Sequence, residues 1–206
     1  MNDMFLYILK GSIITFKLYF VTLVISIPLG ILMAFLKMTK PLKRILGIYT
    51  WFFRGTPLLL QLFFVYYGLP VIGIRLSEFS AASITFILNY AAYFTEIMRG
   101  GIQSIDKGQY EAAKVLGMSY VDTMRRIIFP QAFRRVVPSI CNEAINLVKD
   151  TALITVIGMP EILRNAKEIV TREFTVKPFF IAALIYLLIT SLIVLVFRKI
   201  ELKSNI

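Results

Sequence analysis

The sequence has 206 residues, of which 58% are hydrophobic and 17% charged, and its mean hydropathy is +0.75. This composition lies outside the range of soluble domains and predicts a protein that resides in a lipid bilayer. One cysteine and no histidine exclude an internal disulfide and the usual zinc sites, and a formal charge of +11 spread between apolar runs disfavours nucleic-acid binding.

Five apolar runs follow one another along the chain, and a helix that crosses the hydrocarbon core needs about 20 apolar residues. The second run is interrupted by RGTP, where Thr56 is a good N-cap and Pro57 a good first helical residue, so we expect a new helix to begin there. The sequence predicts an all-α polytopic membrane protein in which the whole chain, 1–206, is a single transmembrane domain. The five predicted spans are 11–36, 45–70, 80–98, 136–157 and 179–197.

The distribution of basic residues predicts the orientation of these spans. Segments 37–44 and 99–135 and the tail from residue 198 together carry 14 Lys and Arg, whereas the segments on the opposite side carry 6. Cytoplasmic loops are the ones enriched in Lys and Arg. We therefore expect the N-terminus outside and the C-terminus inside, with 99–135 as a cytoplasmic loop.

Within that loop the pattern predicts two short helices joined by a glycine. Residues 110–116 are good helix formers, and Gly117 follows where a left-handed cap is required. Ser119 with Asp122 is a weak capping box for a second helix, which we expect Pro130 to stop. Such a knob suits insertion into a groove of another protein, although a solvated basic loop that contacts anionic lipid is the alternative.

Two polar stripes lie within the predicted spans. Ionisable groups inside a membrane are costly and usually face protein or water. At 100° per residue, the first stripe falls within about 120° of arc and is expected to line a cavity between subunits, or else to hold ion pairs that lock the bundle. Its members are Asn142, Glu143, Asn146, Lys149 and Asp150. The second stripe is Asn89, Tyr93 and Glu96, of which Glu96 has the alternative of pairing with Arg99.

No phosphate-binding G-x-x-x-x-G-K-[ST] loop and no catalytic triad occur in the chain, so we expect no ATP hydrolysis, no catalytic residues and no cofactor. No internal repeat of the kind found in secondary transporters is apparent. A passive channel, a secondary transporter subunit not coupled to ATP and a structural scaffold remain alternatives. The charged segment 159–178 has a helical pattern that suits either a docking protein or the bilayer surface.

The loop sequence EAAKVLGMSYVDTMRRIIFP, residues 111–130, resembles the signature of the permease subunits of bacterial ABC importers. That signature is Glu-Ala-Ala, three residues, Gly, nine residues, Ile, any residue, Leu-Pro, and the spacing here matches with Phe129 in place of the usual Leu. The segments RGTPLLLQLFFVYYGLP and PQAFRRVVPSICNEAINLVKDTAL are similar to permeases for polar amino acids. The resemblance covers roughly residues 10–200.

The resemblance implies a bacterial cytoplasmic membrane protein with two partner ATPase subunits, a second permease subunit that is identical or paralogous, and an extracytoplasmic amino-acid-binding protein. The implied coupling residues, which dock on the ATPase, are Glu111, Ala112, Ala113, Gly117, Arg125, Arg126 and Pro130. Glu111 is expected to anchor a helix end. The implied substrate is a polar amino acid, with a basic one as a candidate. The candidate substrate-binding residues are Asn142, Glu143, Asn146, Asp150, Asn89 and Tyr93.

Overall fold

A computed structural model describes residues 2–204, with side chains for 3–199. Every regular element in this part of the chain is helical, which confirms the all-α prediction. The α-helices are α1 (Asn2–Lys10), α2 (Ser12–Met38), α3 (Lys40–Gly55), α4 (Leu58–Phe63), α5 (Glu78–Gln103), α6 (Lys107–Val115), α7 (Tyr120–Thr123), α8 (Phe129–Asp150), α9 (Ile162–Glu173) and α10 (Lys177–Ser204). A π turn (Phe64–Gly68) and a 3-10 turn (Leu69–Ile72) extend α4, and a 3-10 segment (Thr151–Ile157) extends α8.

The centre of the bundle is the pair α2 and α5, which pack against each other along most of their lengths. Leu18 on α2 and Phe86 and Phe94 on α5 are buried in one apolar core cluster, and Gly30 of α2 lies directly against Phe94. Helix α8 packs on α5 from another side and contributes Leu147 to the same core. Helix α10 packs on α8, and α9 packs on α10 and on α1.

Two helical stretches in residues 2–204 are long and apolar enough to cross a membrane by length and composition, namely Asp3–Met38 and Lys177–Lys199. The pair Lys40–Gly55 and Leu58–Ile72 qualifies as one broken span, with an angle of 102° between its halves. Helices α5 and α8 have lengths of 26 and 22 residues but carry the polar stripes, which lowers their hydropathy. The count of five spans therefore stays a prediction.

The predicted break at RGTP is confirmed, but its cap was wrong by one residue. Pro57 precedes α4 with an extended backbone (φ −61°, ψ 133°) and is the N-cap, although it supplies no side-chain hydrogen bond. The Thr56 hydroxyl instead donates to the carbonyl of Phe52 at 2.9 Å, which helps to close α3. A threonine hydroxyl readily bonds to the carbonyl four residues earlier. At Thr56 this bond belongs to the end of α3, so the hydroxyl does not cap α4.

Pro130 does not stop the second loop helix, contrary to the sequence prediction. A π turn, Met124–Ile128, joins α7 to α8, and Pro130 lies in the first turn of α8. The N–H of Phe129 donates to the carbonyl of Met124, five residues earlier. Proline is accepted in the first turn after a break in the α-helical hydrogen-bond pattern, because its missing N–H has no intrahelical partner there. Helical backbone therefore continues from Tyr120 to Asp150.

The segment between α8 and α10 contains the helix expected from its charge pattern, and α1 packs against it. Gly11 permits this contact, because a Cβ there would lie 2.5 Å from the carbonyl carbon of Glu161. The Tyr7 hydroxyl donates to Glu168 at 2.6 Å, and this hydrogen bond holds the pKa of the Glu168 carboxyl below its ordinary value. The Asn165 amide donates to the carbonyl of Tyr7 at 2.9 Å. The first helix and α9 thus form one unit.

Candidate functional site

A polar cavity of ≈ 690 Å³ opens on the surface of the bundle, at the break between α3 and α4. Helices α5 and α8 supply the two other walls. The cavity carries both signs of charge, with Arg54 beside the break and Glu143, Lys149 and Asp150 on α8. The other lining residues are Gly55, Thr56, Pro57, Leu58, Asn89, Tyr90, Tyr93 and Asn146.

Hydrogen bonds fix several of these side chains in place. The Tyr90 hydroxyl donates to the Asp150 carboxylate at 2.7 Å, which links α5 to α8 across the cavity wall. The Arg54 guanidinium lies over the ring of Tyr93, 5.4 Å from its centroid. Glu143 and Asp150 are half-buried, so their carboxylates combine access to the cavity with partial removal from solvent. Electrostatic interactions with a ligand are stronger in such a site than in bulk water.

The structure brings five of the six sequence-predicted substrate residues to this cavity. Asn142 is the exception, since it is exposed and does not line the cavity. The other five are Asn89, Tyr93, Glu143, Asn146 and Asp150. Glu96, the third member of the α5 stripe, lies elsewhere. It pairs with Lys37 of α2 and, at 2.7 Å, with Arg99, so the alternative stated for this residue is the observed one.

Two polar cavity residues, Tyr90 and Arg54, were not among the predicted substrate-binding residues. Tyr90 follows Asn89 directly and therefore lies one position off the α5 stripe. The direction in which its long side chain points depends on packing between helices, which the periodicity of the sequence does not give. Arg54 is only a weaker candidate in the sequence, because its side chain reaches the cavity through the bend between α3 and α4. The signal that could have found it is a charged residue beside Gly-Thr-Pro within an apolar run.

The second candidate site is the coupling segment, 107–130. Gly117 has φ +72°, as the left-handed cap requires. The N–H of Gly117 donates to Lys114 at 3.0 Å and the N–H of Met118 to Ala113 at 3.0 Å, which together form a Schellman motif. The Ser119 hydroxyl accepts from the N–H of Asp122 at 3.1 Å, but the return bond of a capping box is replaced by a hydroxyl-to-carboxylate bond of 2.6 Å.

An exposed apolar patch surrounds this glycine, and sequence reasoning did not single it out. The Glu111 carboxylate is exposed and forms no hydrogen bond or ion pair with residues 3–199, so within this part of the chain it does not anchor a helix end. Arg126 pairs with Asp122 at 3.6 Å on the same surface. The sequence does indicate the patch, because the apolar residues of VLG (115–117) and YV (120–121) lie in a loop that would be polar if it were only solvated. Its members are Val115, Leu116, Tyr120 and Val121, which are 87%, 77%, 63% and 71% exposed.

Comparison with known proteins assigns the chain to a family. Residues 26–204 match the family described as "Binding-protein-dependent transport system inner membrane component". The chain belongs to this family. Members are integral membrane permease subunits of ABC transporters, and ATPase activity in these transporters lies in a separate subunit. This chain is accordingly the permease subunit of an ATP-driven importer.

Individual relatives support the same assignment for this permease. It is 42% identical over 205 residues to the arginine transport system permease protein ArtQ of Bacillus subtilis, covering 97% of this chain and 94% of that protein. It is 38% identical over 202 residues to a putative glutamine transport system permease protein of Rickettsia felis, covering 96% of this chain and 93% of that protein.

Solved structures of transporters have the same fold as this permease. A crystal structure of an amino acid ABC transporter with histidines superposes with a TM-score of 0.89 at 36% identity, covering 96% of this chain and 94% of the other. A methionine ABC transporter in an inward-facing conformation superposes with a TM-score of 0.72 at 17% identity, covering 96% of this chain and 94% of the other. The second likeness shows the shared fold alone.

Proposed function

We propose that this permease forms the translocation pathway for a polar amino acid, and that its cavity binds the substrate during transport. The observation that carries the proposal is the cavity itself, where Arg54 and Lys149 face Glu143 and Asp150 in a space of ≈ 690 Å³. An amino acid carries a carboxylate and an ammonium group, so a site for it needs charges of both signs and several hydrogen-bonding groups. Relatives named for arginine and glutamine transport point to the same class of substrate.

A basic amino acid fits the α8 wall best. Glu143 and Asp150 are two carboxylates on one helix face, Asn146 lies between them, and all three line the cavity. A ligand with a cationic side chain carries two positive groups, the α-ammonium and the side chain. Two carboxylates can bind both groups at the same time. Asn142 is exposed and lies outside this cavity, so we assign it to the contact with the second permease subunit and not to the substrate.

The assembled transporter has two permease subunits, identical or paralogous, whose cavities face each other in the bacterial cytoplasmic membrane. The open side of the cavity supports this arrangement, since a substrate crossing the bilayer must be shielded from lipid. Within each subunit, residues 1–206 form one transmembrane domain with five spans, the N-terminus outside and the C-terminus inside. The excess of basic residues in 37–44, 99–135 and the tail supports this orientation.

The coupling segment docks on a separate ATPase subunit, with one ATPase for each permease. Its exposed apolar residues and the neighbouring Arg125 and Arg126 suit a protein partner, because an apolar patch with a charged rim is typical of an interface. Glu111, Ala112, Ala113, Gly117 and Pro130 belong to this docking segment, and the left-handed cap at Gly117 sets the course of its backbone. On the opposite side of the membrane, α9 receives the amino-acid-binding protein.

The substitution Glu143→Gln tests the role of the cavity. A charge-assisted hydrogen bond contributes about 1.5–3 kcal/mol, so binding of L-arginine should weaken roughly 10- to 100-fold, whereas binding of L-glutamine should change less than about threefold. Affinity is measured on the permease–ATPase complex in nanodiscs without the binding protein, so that the selectivity of the binding protein does not enter.

The matched control is Glu78→Gln, which removes an exposed carboxylate at the start of α5, outside the cavity. Equal losses for arginine and glutamine, or no loss, would reject a ligand role for Glu143.

Uptake by proteoliposomes that also contain the ATPase and the binding protein should require ATP. Uptake that proceeds at the same rate without nucleotide would favour a passive channel instead.

A further inference from the structure

Arg54 has a guanidinium group that no side chain neutralises. Its guanidinium forms no side-chain hydrogen bond or ion pair with residues 3–199, and it lies over the Tyr93 ring with 5.4 Å between its central carbon and the ring centroid. Glu143 lines the same cavity, but the two groups do not form an ion pair. A guanidinium has five N–H donors in one plane, and those of Arg54 form no hydrogen bond within residues 3–199, so they are available to a ligand.

The backbone that carries Arg54 is held rigidly by two buried amides. The carbonyl of Phe53, one residue earlier, accepts from Asn89 at 2.8 Å and from Gln61 at 2.9 Å. The Asn89 amide also donates to the Gln61 side-chain oxygen at 3.0 Å. Asn89 and Gln61 are only 4% and 7% exposed. These bonds fix the bend relative to α4 and α5, so the position of Arg54 is set before a ligand arrives.

The remaining charges of the cavity are arranged on the wall formed by α8. Asp150 is oriented by the Tyr90 hydroxyl at 2.7 Å, and Glu143 lines the same wall. The cavity therefore has a guanidinium at the bend and carboxylates on α8. Opposite charges on different walls of one cavity suit an α-amino acid, whose carboxylate is negative and whose ammonium group is positive. Lys149 is the other cation in the cavity, and it forms no ion pair within residues 3–199 either, but it lies on the same wall as the carboxylates and directly precedes Asp150 in the chain.

We propose that Arg54 binds the α-carboxylate of the substrate through two parallel hydrogen bonds, while Tyr93 fixes the plane of the guanidinium. Asn89 and Gln61 act as positioning residues, and Asn89 is thereby reassigned from substrate contact to support of the bend. This inference rests on the proposed function, namely that the cavity holds an amino acid. It divides recognition into two parts, because every α-amino acid presents a carboxylate to Arg54, whereas the α8 wall contacts the groups that differ.

The test compares L-arginine with L-argininamide, in which a neutral amide replaces the carboxylate at nearly the same size. The wild-type permease–ATPase complex in nanodiscs, without binding protein, should bind arginine at least roughly tenfold more tightly than argininamide, because a bidentate charge-assisted contact is lost in the amide. In Arg54→Gln the ratio of the two affinities should fall close to one. Arg54→Lys should give an intermediate ratio, since a lysine keeps the charge without the planar pair of donors.

Two matched variants complete the design. Arg75→Gln removes an exposed arginine outside the cavity and should keep the wild-type ratio. Lys149→Gln removes the other cavity cation and is a discriminating variant and not a control: it should change both affinities alike and therefore keep their ratio. If Lys149→Gln abolishes the preference for arginine while Arg54→Gln retains it, the carboxylate belongs at Lys149 and the role of Arg54 is overturned.

The failure of this inference differs from the failure of the proposed function. A wild-type complex that binds both probes with equal affinity leaves the cavity as a binding site but overturns a carboxylate contact at Arg54. A wild-type complex that binds neither probe overturns the cavity as a substrate site, and the role of Arg54 with it. If Arg54→Gln does not assemble with the ATPase, the Arg54→Lys ratio decides, and a value equal to that of the wild type overturns the proposal.

Discussion

Gly117 is a single residue on which the shape of the coupling segment depends. Its φ of +72° lies in the left-handed region, and no heavy atom lies within 4 Å of the position that a Cβ would take. The cost of replacing it is therefore conformational and not steric. For an L-residue such as alanine, this conformation costs about 1–2 kcal/mol, so the substitution weakens the motif without filling any contact surface.

Gly117→Ala should reduce co-purification of the ATPase moderately, and Gly117→Pro should abolish it. Proline fixes φ near −65° and also removes the N–H that donates to Lys114 at 3.0 Å. The measurement is the amount of ATPase retained on the tagged permease after washing. Gly47→Ala is the control, because Gly47 lies within α3 with free space around it and has no positive φ. Retention of the ATPase by Gly117→Pro at the wild-type level would contradict the proposed docking.

At the residue scale, the sequence predicts features that depend on neighbours in the chain. The cap at Gly117 follows from helix formers that end at a glycine, and the Ser119 bond to Asp122 follows from their spacing. The orientation of a polar side chain inside the bundle depends on packing between helices instead. Asn89 was expected to contact substrate, but its amide is used by Phe53 and Gln61.

Three elements are joined by one buried carboxylate, Glu161, which no sequence argument singled out. It is fully buried, serves as the N-cap of α9, and accepts from the N–H groups of Leu163 at 2.8 Å and Arg164 at 2.6 Å. The Tyr186 hydroxyl on α10 donates to it at 2.6 Å, and Thr155 of the 3-10 segment also donates to it. A charged residue at a surface loop is usually exposed, so its position in the sequence favoured the wrong environment.

Glu161→Ala should lower the thermal stability of the permease clearly, because it removes a helix cap and leaves buried donors without an acceptor, at about 1–3 kcal/mol for each unsatisfied group. Glu161→Gln should lie between the alanine variant and the wild type, since one acceptor oxygen remains. The readout is the midpoint of thermal unfolding in detergent. Glu173→Gln, at an exposed carboxylate that pairs with Arg172, is the control. Equal midpoints for Glu161→Ala and Glu173→Gln would show that the cluster contributes little.

At the scale of the whole molecule, composition predicts a helical membrane protein but not how each helix crosses the bilayer. Asp3–Met38 and Lys177–Lys199 stand out because they are apolar throughout. Helices α5 and α8 combine an apolar face with the polar groups of the cavity. Their mean hydropathy is therefore lower than that of α2 and α10, and hydropathy alone does not mark them as spans. The break between α3 and α4 was predictable from Thr-Pro, but the 102° bend was not, because it is set by the packing of Gln61 and Asn89.

Labelling of single introduced cysteines tests the proposed orientation. Arg172→Cys should react with a membrane-impermeant maleimide in right-side-out vesicles, whereas Lys114→Cys should react only after the membrane is permeabilised. The native Cys141 is 3% exposed, so its background reaction should be low, and the wild type measures it. Reaction of Lys114→Cys from outside at the rate of Arg172→Cys would place the coupling segment on the wrong side for an ATPase.

Helical backbone continues from Tyr120 to Asp150 and so connects the segment after Gly117 with the cavity. At 1.5 Å per residue, its length is roughly 45 Å, so a tilt of about 5° moves one end by about 4 Å relative to the other. If the segment around Gly117 docks on an ATPase as proposed, a movement there is transmitted along this helix to Asp150. A tilt of that size would change the distance between Asp150 and the bend that carries Arg54.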